Sequence, residues 1–307
     1  MSKIDKMALL VVVVVVLPLV FWGRIQPWIG PEATVATAAG AENKVNREKE
    51  GFSEPGAGGS QLNVAARWEL PPELMEVSGI AYLDRDRFVC IQDEKGALFV
   101  YNVQTGKIEQ EIPFAGPGDY EGVTLAGTDA FVVRSDGRLY EIADFRGKNP
   151  RVKEHRTPLT AKQDVEGLCY DAREKRLLLA PKGEDPTSKE YKGIYAVDPG
   201  TGHMQTAPVL KIPVGEGAAN GKKEKKKNKG VQPSEINVHP KTGQIYVLDG
   251  PNRRLLILER SGQLLRQVQL KGGDFPQAEG LTFSPEGVLY ISNEGKGGKG
   301  TIVKVEE

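Results

Sequence analysis

Glu166-Gly-Leu-Cys-Tyr-Asp, at residues 166–171, is one copy of a phrase that recurs along the chain. The other copies are Ser78-Gly-Ile-Ala-Tyr-Leu, Glu121-Gly-Val-Thr-Leu-Ala, Ser234-Glu-Ile-Asn-Val-His and Glu279-Gly-Leu-Thr-Phe-Ser. Their first residues are 43, 45, 68 and 45 positions apart. Each phrase is followed by a second apolar run: RFVCIQ, AFVVRS, RLLLAP, QIYVLD and VLYISN. A third comes next in every unit: ALFVYNV, RLYEI, GIYAVD, RLLILE and TIVKV. Turns such as Arg260-Ser-Gly then lead into fourth runs such as QLLRQVQL. Short β-branched runs separated by turns read as strands, and four antiparallel strands in about 45 residues is the period of a propeller blade. The last unit stops after its third strand, and Asn63–Leu70 (NVAARWEL) precedes the first phrase. Pairing these two segments closes the ring and removes both edges. The expected fold is all-β: a five-bladed β-propeller closed by an N-terminal strand.

Working outward, Met7–Trp22 (MALLVVVVVVLPLVFW) is an uncharged apolar run between Lys6 and Arg24. As a helix it covers about 24 Å, slightly short of a roughly 30 Å hydrocarbon core. Snorkelling by Lys6 and Arg24, with Trp22 and Trp28 at the interface, makes up the difference. The reading is an uncleaved signal-anchor, residues 1–24, forming one transmembrane helix. It leaves the propeller on the periplasmic side of the cell membrane. The rival is a signal peptide cleaved in the small residues of Ala33–Ala41. Residues 25–61, with GFSEPGAGGS near their end, read as a flexible linker, and 62–307 as the propeller domain. The long third interval holds an insertion at about 215–232 that carries Lys222-Lys-Glu-Lys-Lys-Lys-Asn-Lys229. Lys+Arg and Asp+Glu balance at 41 each, so no global field draws the chain to nucleic acid. The two cysteines, Cys90 and Cys169, sit in apolar strand runs and read as buried thiols rather than a disulfide.

The first strand of each blade lines the axis, so Ser78, Glu121, Glu166, Ser234 and Glu279 should converge as a ring at one rim. Carboxylates crowded together out of water repel one another. Protonation, basic neighbours or a bound cation must compensate. Several hard oxygen donors with no His or Cys suit Ca2+ better than Zn2+. Alternatively these residues cap their strands and satisfy loop N–H groups. Glu76 and Glu235 flank two slots. The ends of the second strands bring Asp93, Glu94, Arg134, Asp136, Lys182, Asp249, Asn293 and Glu294 to the same rim. Arg134 and Lys182 there either neutralise the carboxylates or meet an anionic, phosphate-bearing ligand beside a metal; solvated turn chemistry is the plainer reading. No nucleophile elbow, phosphate loop or dinucleotide fingerprint occurs, and His155, His203 and His239 form no metal-ligand spacing.

The phrases Leu74-Met-Glu-Val-Ser-Gly-Ile, Asp119-Tyr-Glu-Gly-Val, Asp164-Val-Glu-Gly-Leu, Pro233-Ser-Glu-Ile and Gln277-Ala-Glu-Gly-Leu, with Ile291-Ser-Asn-Glu, resemble those of the SdiA-regulated (YjiK-like) family. The resemblance spans about Trp68 to Val305 and implies a bacterial, envelope-facing propeller with an N-terminal membrane segment. A fainter similarity is to the calcium-activated nucleotidases (apyrases), which implies an axial Ca2+ held by the five ring slots. That family's nucleotide-binding residues have no match here, and the Lys-rich insertion is foreign to its pattern. Two functions follow as expectations. One is a module binding a ligand or an envelope protein around an axial Ca2+. The other is a Ca2+-dependent phosphoester hydrolase of nucleotidase or phytase type.

Overall fold

The computed structural model describes residues 62–214 and 230–306. The expected anchor and linker, and the Lys-rich stretch of the insertion, lie outside the described residues. Among those described, no helix is long and apolar enough to cross a membrane.

Twenty strands among the described residues form five four-stranded antiparallel sheets. Blade 1 is β2 (Val77–Asp84), β3 (Arg87–Gln92), β4 (Ala97–Asn102) and β5 (Lys107–Pro113). Blade 2 is β6 (Tyr120–Ala126), β7 (Asp129–Arg134), β8 (Arg138–Ala143) and β9 (Arg151–Arg156). Blade 3 is β10 (Val165–Asp171), β11 (Arg176–Pro181), β12 (Tyr191–Val197) and β13 (Leu210–Pro213). Blade 4 is β14 (Glu235–Val238), β15 (Ile245–Asp249), β16 (Arg254–Leu258) and β17 (Leu264–Gln269). Blade 5 is β18 (Ala278–Phe283), β19 (Leu289–Asn293), β20 (Thr301–Glu306) and, as its outermost strand, β1 (Asn63–Glu69). β1 pairs with β20 from Asn63–Glu306 to Glu69–Thr301, so the two ends of the domain complete one sheet, as the repeat predicts.

Alternation within the strands divides the apolar residues between the two faces of each sheet, and five cores form between neighbouring blades. Val89, Leu98 and Val100 of blade 1 pack on Val123, Val132 and Ile142 of blade 2. Leu178 and Ile194 of blade 3 pack on Val247 and Leu256 of blade 4. Tyr246 and Leu255 of blade 4 meet Leu281 and Ile291 of blade 5, and Ile302 and Tyr290 of blade 5 meet Phe88 and Phe99 of blade 1. Cys90 and Cys169 are both buried and unbridged.

The first strands of successive blades pack on one another in a closed circuit, β2 on β6, β6 on β10, β10 on β14, β14 on β18 and β18 on β2. Their approach is close enough to explain the glycine of the repeated phrase. A Cβ on Gly122 would stand 2.5 Å from Glu166 O, and one on Gly79 would stand 3.0 Å from Glu121 O. In blades 2 and 5 a threonine two positions after that glycine binds across a first-strand seam. Thr124 Oγ1 accepts the Tyr170 N–H and Thr282 Oγ1 accepts the Tyr82 N–H, both at 3.0 Å.

Close approach at Gly122 makes a direct prediction. Gly122→Ala forces backbone apart and should lower the unfolding free energy by about 1–3 kcal/mol in urea denaturation. Gly116→Ala, where an added Cβ meets nothing within 4 Å, serves as the comparison and should leave stability nearly unchanged. Equal effects from the two would mean that the first strands are not packed as tightly as described.

Candidate functional site

Four ring residues owe their orientation to a break in strand pairing. The register of the first strand against the second shifts between Val77 and Gly79, between Tyr120 and Gly122, between Val165 and Gly167, and between Ala278 and Leu281. Ser78, Glu121, Glu166 and Glu279 are therefore bulged residues, and a bulge re-aims the side chain it carries. All four line an axial cavity of about 200 Å3. Blade 4 differs: Glu235 pairs regularly with Leu248, and Ser234 lies just before the strand with its N–H on Leu248 O at 2.8 Å. Ser234 is buried, at 2% exposure, beside the Glu279 carboxyl.

Of the expected rim residues, Glu76, Asp93, Lys182 and Glu294 join the four in the cavity wall. The others are placed elsewhere. Arg134 Nη2 is tied to Asp136 Oδ2 at 2.5 Å. Asp249 is fully buried and takes Arg254 Nε and Asn252 Nδ2, each at 2.8 Å. Asn293 is buried and donates through Nδ2 to Thr301 Oγ1 at 3.2 Å. Glu235, 1% exposed, occupies the glycine position of the phrase in blade 4. Its Oε1 accepts the N–H groups of Leu168 at 2.8 Å and Ile236 at 2.9 Å, clamping the seam to blade 3. Asp249 and Glu235 thus have structural partners of their own.

Gln277, which also lines the cavity, is a site residue that phrase-by-phrase alignment did not single out. The signal was present two positions upstream of each slot, where every unit has a polar residue: Glu76, Asp119, Asp164, Gln232 and Gln277.

The cavity crowds carboxyl groups together away from water. Burial, then the neighbouring Glu166 and Asp119, push the Glu121 carboxyl up to about 9. Burial pushes Glu166 up to about 8 even though Lys182 opposes the rise. Burial with Glu76 and Glu94 takes Asp93 to about 6, and burial also raises Glu279 and Glu294. Lys182 Nζ stands 2.5 Å from Glu166 Oε1. Burial works against its charge, but Glu166, Glu279 and Asp164 outweigh that and hold its pKa above the ordinary lysine value.

Ser78 Oγ donates to Tyr120 O at 2.7 Å. Several buried oxygens find no donor among the described residues: Asp93 Oδ1 and Gln277 Oε1, with Glu235 Oε2 and Asn293 Oδ1. The Ser234 hydroxyl is directed to the Glu279 carboxyl. Carboxylate and amide oxygens without donors form a donor set suited to a hard cation such as Ca2+. In the arrangement observed, no three His, Cys, Asp or Glu side chains among the described residues stand together as a ready cage, and the cation paired with Glu166 is the Lys182 ammonium.

A family model described as SdiA-regulated matches residues 64–296. Among solved structures, the chain is similar to glutaminyl cyclase of Myxococcus xanthus, at 12% identity and a TM-score of 0.59 over 80% of this chain and 95% of that one. It is also similar to the PQQ-bound aldose sugar dehydrogenase of Streptomyces coelicolor, at 14% identity and a TM-score of 0.51 over 80% and 98% of the two chains. At these identities the likeness is one of fold.

The raised carboxyls set a pH dependence. Glu121 and Glu166 hold protons in the folded state up to about 9 and 8, whereas unfolded carboxyls release them near 4.5. Between those values the folded state binds more protons, so the stabilisation is complete below about 4.5 and is lost as pH climbs through the folded values. In EDTA, the thermal midpoint should fall from pH 5 to pH 8, and Glu121→Gln should flatten the slope. A midpoint rising over that range would contradict the crowding described.

Proposed function

The chain belongs to the SdiA-regulated family, and from that premise we propose that it is a membrane-tethered, envelope-facing binding propeller that holds Ca2+ in its axial cavity. A ligand or partner is received at that rim. The observation that carries the reading is the pair of buried oxygens without donors, Asp93 Oδ1 and Gln277 Oε1, on residues that line the cavity with Glu121, Glu166 and Glu279. A buried acceptor left unmatched loses hydration with nothing in return, and several at one place are best relieved by one positive centre.

Glu121, Glu166 and Glu279 would supply the charge, with the neutral oxygens completing an all-oxygen shell. Such an ion would offset the burial and repulsion that otherwise drive the carboxyls to hold protons, and would join blades 2, 3 and 5 through one centre. Its contribution is therefore rigidity and a fixed positive focus at the rim. The tether rests on the uncharged run Met7–Trp22, and the envelope location follows from it.

The test is thermal unfolding of the full chain, stripped with EDTA and then supplied with Ca2+ or Mg2+. An ion bound only by the folded state stabilises by about 2.7 kcal/mol at a hundredfold excess over Kd, a visible rise in midpoint. The rise should be selective for Ca2+ and lost in Glu121→Gln and Glu279→Gln. No rise, together with no retained ion on elemental analysis, sinks the reading. Turnover of phosphoesters by the Ca2+-loaded chain would replace binding with hydrolysis.

A further inference from the structure

At the far end of the first strands from the axial carboxyls, a cavity of about 670 Å3 opens over the seam where blade 5 meets blade 1. Trp68 of β1, Tyr82 of β2 and Tyr290 of β19 give it an aromatic wall. Tyr290 touches both other rings: its centre is 5.7 Å from Tyr82 and 6.5 Å from Trp68, with planes inclined by 30° and 32°. Phe88 meets the two tyrosines edge-on, at 5.7 and 5.0 Å, and so fixes their orientation. Trp68 and Tyr82 are only half-buried. Neither tyrosine hydroxyl, nor the Trp68 indole N–H, is hydrogen-bonded among the described residues, and none of the three is sealed from solvent.

The repeat shows that packing alone does not ask for this arrangement. At the neighbouring seam, between blades 4 and 5, the equivalent two positions are Tyr246 and Phe283. That pair is buried, and His239 packs on both rings, at 5.9 and 5.0 Å. Where blade 4 has His239 as the sixth residue of its phrase, blade 5 has Ser284, too small to cover an aromatic pair. Tyr82 stands in place of Phe283 and brings a hydroxyl, while β1 adds Trp68. The closing seam is thus uncovered, hydroxylated and widened. Charge around its mouth is balanced. Arg87 holds Asp84 at 2.5 Å, which leaves Asp86 and Glu286 against Arg85 and Lys304. Lys304 pairs with Tyr290 across β19 and β20, so the two side chains leave the same face of the sheet. A cationic ligand on that ring would meet the ammonium.

We infer that this cavity binds a neutral oligosaccharide, one pyranose ring lying against Tyr82, Tyr290 and Trp68. A pyranose presents C–H groups on its faces and, around its edge, hydroxyls that each donate and accept. Aromatic rings take the apolar face. Asp86 and Glu286 accept from the hydroxyls, while Lys304, Arg85 and the Trp68 indole N–H donate to them. The volume falls within the range of small-ligand sites. No residue lines both this cavity and the axial one, so the site is independent of the cation reading above.

The experiment titrates the full chain, in a detergent without a sugar headgroup, with maltotriose, cellotriose and chitotriose, and with choline as a cationic probe. Binding is read by calorimetry and by tryptophan emission. Trp22 and Trp28 precede the propeller, so a saccharide-dependent change reports on Trp68. At least one trisaccharide should bind and shift that emission, equally in EDTA and in Ca2+. Tyr82→Ala should weaken its binding about tenfold. Should Tyr82→Ala fail to fold, Glu286→Gln, at an exposed position, should still weaken it about threefold. No response to any of the three up to about 10 mM overturns the inference. Binding that both variants leave unchanged overturns it as well, because the sugar then sits elsewhere. Choline binding without saccharide binding makes the aromatic wall a cation site and also overturns it.

Discussion

The pairing of β1 with β20 is the constraint on which the rest of the molecule depends. Each blade buries one face against its predecessor and the other against its successor, so no blade has a complete core alone. An open circuit would expose one face at each end and leave strand edges unpaired. Joining Asn63–Glu69 to Thr301–Glu306 places a segment from before the first blade inside the last, and the circuit closes. Closure also fixes the radius of the axis. The first strands then press so closely that glycine is required at Gly122, and the side chains just before those glycines are forced together.

That closeness makes the ring an electrostatic problem as well as a geometric one. Glu121, Glu166 and Glu279 come from three different blades, yet they line one small cavity. Lys182 partly answers the crowding from within, since it draws on Glu166, Glu279 and Asp164 at once. It does not neutralise the group: Glu121 is still pushed up to about 9 and Glu166 to about 8. A half-buried lysine beside carboxyls that still favour protonation leaves the group incompletely compensated.

The architecture is legible in the sequence because a propeller repeats, and repetition survives even where single propensities are weak. Ser78, Glu121, Glu166 and Glu279 could be aligned as equivalent slots without any coordinates. Their orientation could not, because strict alternation along β6 or β10 gives no hint of the bulges that turn them toward the axis. Glu235 and Asp249 illustrate the opposite limit. Alignment puts both at the rim, but a carboxylate buried by a neighbouring strand acquires partners that only tertiary packing supplies: two backbone N–H groups for Glu235, and Arg254 with Asn252 for Asp249. Arg134 is a local version of the same effect, captured by Asp136 two residues away.

The departures from fivefold symmetry are what distinguish a site from a scaffold. Blade 4 has neither the bulge nor the glycine: Ser234 precedes the strand, and Glu235 turns back toward blade 3. Blade 1 offers a hydroxyl, Ser78, already donating to Tyr120 O. Blade 3 contributes both a ring carboxyl, Glu166 in β10, and the ammonium that meets it, Lys182 just past the end of β11. A repeat selected only for folding has no reason to place opposite charges in one blade and like charges across three. The pair in blade 3 is a contact between side chains, separate from the backbone hydrogen bonds that hold the ring. Loops of the same blade also line a cavity of about 760 Å3 whose wall carries lysines and the carboxylates of Asp164, Glu184 and Asp185 alike, so asymmetry of shape and the ion pair coincide at one position around the axis.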